Sequence, residues 1–212
     1  MEKYQFGLLK RGPKWTAEST AETQKIQEGH MANINKMAKL GKLVAAGPMA
    51  DNSDVAGIFI FKAASLDEAR ALASEDPAIK AGRLVLELQD WWGQQRIGAQ
   101  LQEEAQAGRE PKYTMTKYYL ALLGKGAQAA GNSSAEQKLQ LDHLWYLRRQ
   151  LDAKTYVAAG PFAGAGDWLG VCVIAANSPE EAKAIVDADP RVKAGSLRVA
   201  LHTWWVAKEV WP

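Results

Sequence analysis

The chain has 212 residues, enough for one large domain or for two of about 100 residues that each bury a core. Hydrophobic residues at 47% and charged residues at 24% are the balance of a globular protein and exclude a disordered one. The net charge of +2 comes without a dense Lys/Arg block, which argues against nucleic acid and membrane surfaces as partners, and the single cysteine, Cys172, excludes an intrachain disulfide.

Tyr4–Lys10 reads as a short apolar strand, and a loop with Gly12-Pro13 follows it. A helix is predicted from about Ser19 to Leu40, with Ile26, Ile34 and Met37 recurring at helical spacing. Leu43–Ala46 is a second strand, ended by Gly47-Pro48, and Gly57–Lys62 is a third, with the unbroken apolar run GIFIF. Ser65 caps a second helix and Glu68 stands at the capping-box position three residues later; Asp76-Pro77 ends that helix. Leu84–Trp91 closes the unit as a fourth strand.

The same series then repeats. His30 pairs with His143, Gly47-Pro48 with Gly160-Pro161, Asp76-Pro77 with Asp189-Pro190 and Trp91-Trp92 with Trp204-Trp205, all at an offset of 113. Of the 63 positions from His30 to Trp92, 23 are identical in the second copy, far more than chance, so the halves share an origin. Tyr118–Leu123 answers the first strand, and Ser178, Pro179 and Glu181 repeat the start of the second helix. The organisation is a first unit at 1–92, a partly helical linker at 93–112 and a second unit at 113–212.

The order β-α-β-β-α-β predicts an α+β fold of the ferredoxin-like kind, an antiparallel four-stranded sheet with both helices on one face. Such a sheet leaves its other face needing cover, and a tandem copy supplies it. Two ferredoxin-like units packed sheet to sheet as a pseudo-dimer within one chain are therefore expected; further oligomerisation stays open. No run of about 18 apolar residues occurs, so no membrane-spanning helix is expected. No leader is visible before the first strand, making a cytoplasmic location the default, or an exported one if a leader has been removed.

His30 shares a stripe with Ile26 and Ile34, and His143 lies likewise between Leu139 and Leu147, which directs both imidazoles toward the sheet. A buried imidazole needs a partner, and Asp76 and Asp189 can supply one if the end of the second helix lies near the first. Such a pair fixes the tautomer and leaves the other nitrogen to take or give a proton, which suits proton abstraction beside a carbonyl. The same pair would also serve as a polar staple between helices. The turns at Gly47-Pro48 and Gly160-Pro161 offer their glycine backbone N–H groups to a ligand or simply reverse the chain tightly.

Trp91 and Trp204 are candidates for an aromatic wall, although packing is the plainer role. One Trp of each pair is expected under the helices and the other toward the opposing sheet. The basic loop Lys10-Arg11-Gly12-Pro13-Lys14 could meet an anion but lacks a Walker pattern. His202 stands opposite Gln89 and reads as an ordinary strand residue; Cys172 reads as a small core hydrophobe. No metal site, nucleophile elbow or dinucleotide fingerprint is visible.

A His on the first helix, an AGP turn, an S-x-x-E-A helix, DP-x-x-x-AG and a closing tryptophan, in that order, resemble the YCII-related family. The likeness runs from Tyr4 to Trp91 and again from Tyr118 to Trp204. It implies a dimeric α+β barrel similar to muconolactone isomerase, with His30–Asp76 and His143–Asp189 as active-site pairs in a cleft beside the sheet. One branch of that family resembles a dehydrochlorinase of chlorinated hydroxyquinones. The halves differ where Asn33 faces Tyr146, Met49 faces Phe162 and Val55 faces Trp168, which puts equivalent substrates in question.

Two functions follow as expectations. One is a lyase or isomerase without organic cofactor, acting on an aromatic or anionic small molecule through a His–Asp pair in each half. The other is a non-catalytic binding or accessory protein using the same cleft.

Overall fold

The computed structural model describes residues 1–128, 133–164 and 166–212. The first unit comprises β1 (Glu2–Arg11), α1 (Ala21–Lys39), β2 (Leu43–Pro48), β3 (Val55–Phe61), α2 (Leu66–Ser74), α3 (Pro77–Lys80) and β4 (Leu84–Gly93). The linker carries α4 (Ala99–Gln106). The second unit repeats the order: β5 (Met115–Lys125), α5 (Ser134–Asp152), β6 (Tyr156–Ala163), β7 (Trp168–Ile174), α6 (Pro179–Asp187), α7 (Pro190–Lys193) and β8 (Leu197–Ala207).

Each unit forms an antiparallel sheet, in the orders β2-β3-β1-β4 and β6-β7-β5-β8. The sheets do more than face each other. β4 pairs with β6 through Asp90↔Ala163 and Trp91↔Phe162, and β2 reaches β8 through the bridge Met49↔Trp204. The eight strands therefore close on themselves, and the exposed edges of two open sheets disappear into two seams. Helices lie outside the ring. No helix among the described residues is long and apolar enough to cross a membrane.

Strand alternation divides the buried side chains into three layers. Tyr4, Phe6 and Leu8 of β1 point into the barrel with Ile58, Ile60, Leu120, Leu122, Val171 and Val173. Leu9, Phe59, Phe61 and Met37 fill the space under the first unit's helices, and Tyr119, Ala121, Tyr156, Ile174 and Val186 that under the second's.

The seams explain two glycines. A Cβ at Gly47 would lie 1.8 Å from the Trp205 carbonyl oxygen, and one at Gly160 equally close to that of Trp92, so only glycine lets the backbones meet. The Trp204 indole N–H donates to the Gly47 carbonyl at 3.0 Å, and that of Trp91 to the Gly160 carbonyl at 3.2 Å.

Three details differ from the sequence reading. β2 continues through Gly47-Pro48 instead of ending there, because at the edge of its own sheet the missing proline N–H costs no bond to β3. Ser65 and Ser178 cap α2 and α6 as expected, but Glu68 and Glu181 accept from the N–H of Ala64 and Asn177, one residue before the cap. Trp92 and Trp205 do not pack under the helices: they lie beyond Leu88 and Leu201, the last residues of β4 and β8 in the helix-side layers, and stay 42% and 37% exposed.

Candidate functional site

Asp76 and Asp189 each start a one-turn helix that the sequence reading did not foresee. Asp76 Oδ1 accepts from the Ala78 N–H at 2.8 Å, capping α3, and Asp189 Oδ1 accepts from the Arg191 N–H at 2.9 Å, capping α7. With one oxygen engaged, the other turns toward the first helix of its unit. Asp76 Oδ2 lies 2.7 Å from His30 Nδ1, and Asp189 Oδ2 lies 2.6 Å from His143 Nδ1. Gly29 permits the approach in the first unit, since a Cβ there would meet the Pro77 ring at 2.8 Å.

Both carboxylates are almost wholly buried, at 0% and 2% exposure, while the His30 and His143 side chains keep 12% and 9% of theirs. A carboxylate only accepts, so each Nδ1 carries the proton and each Nε2 is the free lone pair. Among the described residues neither Nε2 has a hydrogen-bond partner, and Trp211 Nε1 is the one buried side-chain polar atom without a partner. Both Nε2 atoms therefore keep a path to solvent.

The surroundings diverge. His30 stacks on Phe59, with centroids 5.9 Å apart and planes at 17°, and Asn33 Nδ2 donates to Asp76 Oδ2 at 3.4 Å. At the Phe59 position the second unit has Cys172, and at the Asn33 position Tyr146, whose hydroxyl donates to the Ile185 carbonyl at 2.5 Å. Burial first, and then the Asp189 carboxylate, push the Tyr146 phenol and the Cys172 thiol above their ordinary ranges, so both stay protonated at neutral pH. Cys172 is thus a buried thiol without nucleophilic character. Arg191 of α7 also grips α5, donating to Glu136 at 2.8 Å, two turns before His143, and to Gln140 at 2.6 Å, one turn before it.

The remaining sequence candidates lie elsewhere. Gly47, Gly160, Trp91 and Trp204 sit at the barrel seams and bond one another there, on the opposite side of the sheets from the His–Asp pairs. Pro48 and Pro161 stand beside them on β2 and β6. Met49, Phe162, Val55 and Trp168 likewise belong to the barrel interior, so of the three differences between halves only Asn33/Tyr146 borders a His–Asp pair. In the basic loop, Arg11 stacks over Trp15 at 4.7 Å and Gly12 packs against the Gly82 carbonyl.

One pair went unseen in the sequence. His202 Nδ1 lies 3.1 Å from Asp51 Oδ2, which also accepts from the Thr203 N–H, so the two units are tied across a seam. The available signal was that neither residue has a like counterpart, Asp51 standing opposite Gly164 and His202 opposite Gln89. No three His, Cys, Asp or Glu side chains among the described residues converge as a metal site requires.

Fold and site together define a dimeric α+β barrel built within one chain. The YCII-related domain matches residues 11–91 and again 118–204, and the chain belongs to that family in tandem form. Its solved structural neighbours include an arginine variant of chlorite dismutase from Candidatus Nitrospira defluvii. That likeness covers 98% of this chain and 91% of that one at 13% identity, with a TM-score of 0.60. A heme-binding protein from Thermus thermophilus aligns over 98% and 91% at 14% identity, with a TM-score of 0.55. These likenesses describe the fold. No curated protein sequence matched the chain.

Proposed function

We propose that the chain is a cofactor-independent lyase or isomerase for a small molecule, with a His–Asp general acid/base pair in each half. The observation that carries this reading is the twofold Nδ1–Oδ2 bond, at 2.7 and 2.6 Å, with each Nε2 left free. In the proposed step, Nε2 takes a proton from carbon beside a carbonyl and the C–H electron pair becomes an enolate. Return of the proton at another carbon gives isomerisation; expulsion of a leaving group with its electron pair gives elimination. The buried carboxylate stabilises the imidazolium in between.

The haem bound by the Thermus thermophilus neighbour does not fit these residues. In each unit the layer between helices and sheet, where a porphyrin on the histidine would have to lie, is filled by side chains: Met37, Phe59 and Phe61 in the first, Tyr146, Tyr156 and Cys172 in the second.

A non-catalytic role is favoured by one feature: Asp76 and Asp189 already serve as helix caps, a task that needs no chemistry. Incubation in D₂O with a panel of cyclic enones, lactones and chlorinated hydroxyquinones separates the readings. Exchange or elimination that disappears in His30→Gln/His143→Gln supports the enzyme. Absence of turnover with every compound, alongside saturable binding, overturns it in favour of the binder.

A further inference from the structure

We infer that the barrel interior holds a third binding site, separate from both His–Asp pairs, for an uncharged, single-ring planar molecule with a carboxamide-like edge. Residues of β4 alternate: Leu86 and Leu88 face the helices, whereas Glu87 and Gln89 line a cavity of about 190 Å³ on the barrel side. The His–Asp pairs lie across the sheet from it, on the helix side.

Phe6 and Leu8 form the apolar floor of this cavity. Phe6 is fixed by edge contacts to Trp91 at 5.7 Å and Phe162 at 5.3 Å, so the floor is already shaped. Trp168 of the second unit forms a wall, and the Arg198 guanidinium lies 4.1 Å from its ring centroid and holds the indole in place. Aromatic and aliphatic walls of this kind select a flat ring. A volume below the roughly 300 Å³ at which drug-sized sites begin restricts it to one ring.

Polar chemistry comes from Gln89. Among the described residues its amide makes no hydrogen bond, and Gly166 leaves it room, since a Cβ there would fall 2.3 Å from Nε2. A free amide presents donor and acceptor side by side, which complements a carboxamide or lactam edge. Lys10, the lining cation, is bound to Glu87 at 2.9 Å, and Asp167 adds a second carboxylate to the lining, which opposes an anion.

Duplication did not make this site twice. Opposite Trp168 stands Val55, opposite Glu87 Ala200, and opposite Gln89 His202, which is already engaged by Asp51.

Benzamide serves as the probe, titrated into the protein while ¹H–¹⁵N spectra follow the Gln89 side-chain NH₂ and the Trp168 indole N–H. Saturable shifts at both are expected, with benzoate and cyclohexanecarboxamide binding at least about tenfold more weakly. Gln89→Leu and Trp168→Val, the latter installing the residue type of position 55, should each weaken benzamide about fivefold or more. His30→Gln/His143→Gln should leave it unchanged. Should Trp168→Val lose its folded spectrum, Gly166→Val at the exposed mouth carries the same test. The proposal is overturned if Gln89 and Trp168 do not respond, if the lining variants bind as wild type does, or if the histidine variant abolishes binding.

Discussion

Asp76 Oδ2 receives two side-chain donors, His30 and Asn33, whereas among the described residues Asp189 Oδ2 receives His143 alone, because Tyr146 stands at the Asn33 position and bonds a backbone carbonyl instead. At the position whose aromatic ring stacks on His30 in the first unit, the second unit has the thiol of Cys172. Two copies of one ancestral unit have therefore kept a helix-capping Asp bonded to a His while replacing what surrounds it. The comparison separates the arrangement that both halves retain from the packing that either half can change.

The strongest way to break the equivalence of the halves lies at the seams. Gly47→Ala and Gly160→Ala each force a Cβ against a carbonyl of the other unit, and each should cost about 2 kcal/mol or more, lowering Tm by roughly 5 °C or more. Thermal unfolding should show the two variants similarly affected; one neutral variant would mean that its seam is not closed. Next, Asp76→Ala should cost about 2 kcal/mol in urea denaturation and Asp189→Ala about 1 kcal/mol less. The difference reflects Asn33, which loses its acceptor only in the first case. Tyr146→Phe removes one buried bond and should cost about 1 kcal/mol, with no parallel loss available at position 33.

A subtler asymmetry concerns pH. Burial opposes charge at Asp51, but hydrogen bonds from Ser53 and the Thr203 N–H, together with His202, outweigh it and hold the carboxyl below its ordinary range. A carboxyl held low stabilises the fold at neutral pH, and that contribution is lost as pH falls through its folded-state value. The stability gap between wild type and Asp51→Asn should therefore shrink between pH 7 and pH 3. A gap that stays constant would remove Asp51 from the seam. The smallest effect is expected at Cys172, where a thiol pushed up by burial should react with iodoacetamide only as the protein unfolds.

Much of this molecule was legible in its residues, because each signal came twice. The offset of 113 revealed the duplication, and Ser65 and Ser178 marked helix starts that the structure places at Leu66 and Pro179. The stripe of His30 with Ile26 and Ile34 indicated the sheet-facing side of α1, and Asp–Pro after the second helix supplied a partner within reach. What escaped depends on contacts between units. Gly47 looks like a turn glycine until β8 is seen against it, and Asp51 and His202 are 151 residues apart in sequence, with no local pattern to join them. The one-turn helices α3 and α7 were hidden because Asp-Pro reads as a stop, whereas here it also begins a new turn.

Each half holds an imidazole with its Nδ1 tied to a carboxylate and its Nε2 bare. Long-range ¹H–¹⁵N correlation spectra of the histidine rings, recorded where the rings are neutral, report this directly. The Nδ1–H tautomer is expected for both His30 and His143, disturbed for His30 alone in Asp76→Asn and for His143 alone in Asp189→Asn. An Nε2–H tautomer at either ring, or rings indifferent to the matching Asp variant, would contradict it.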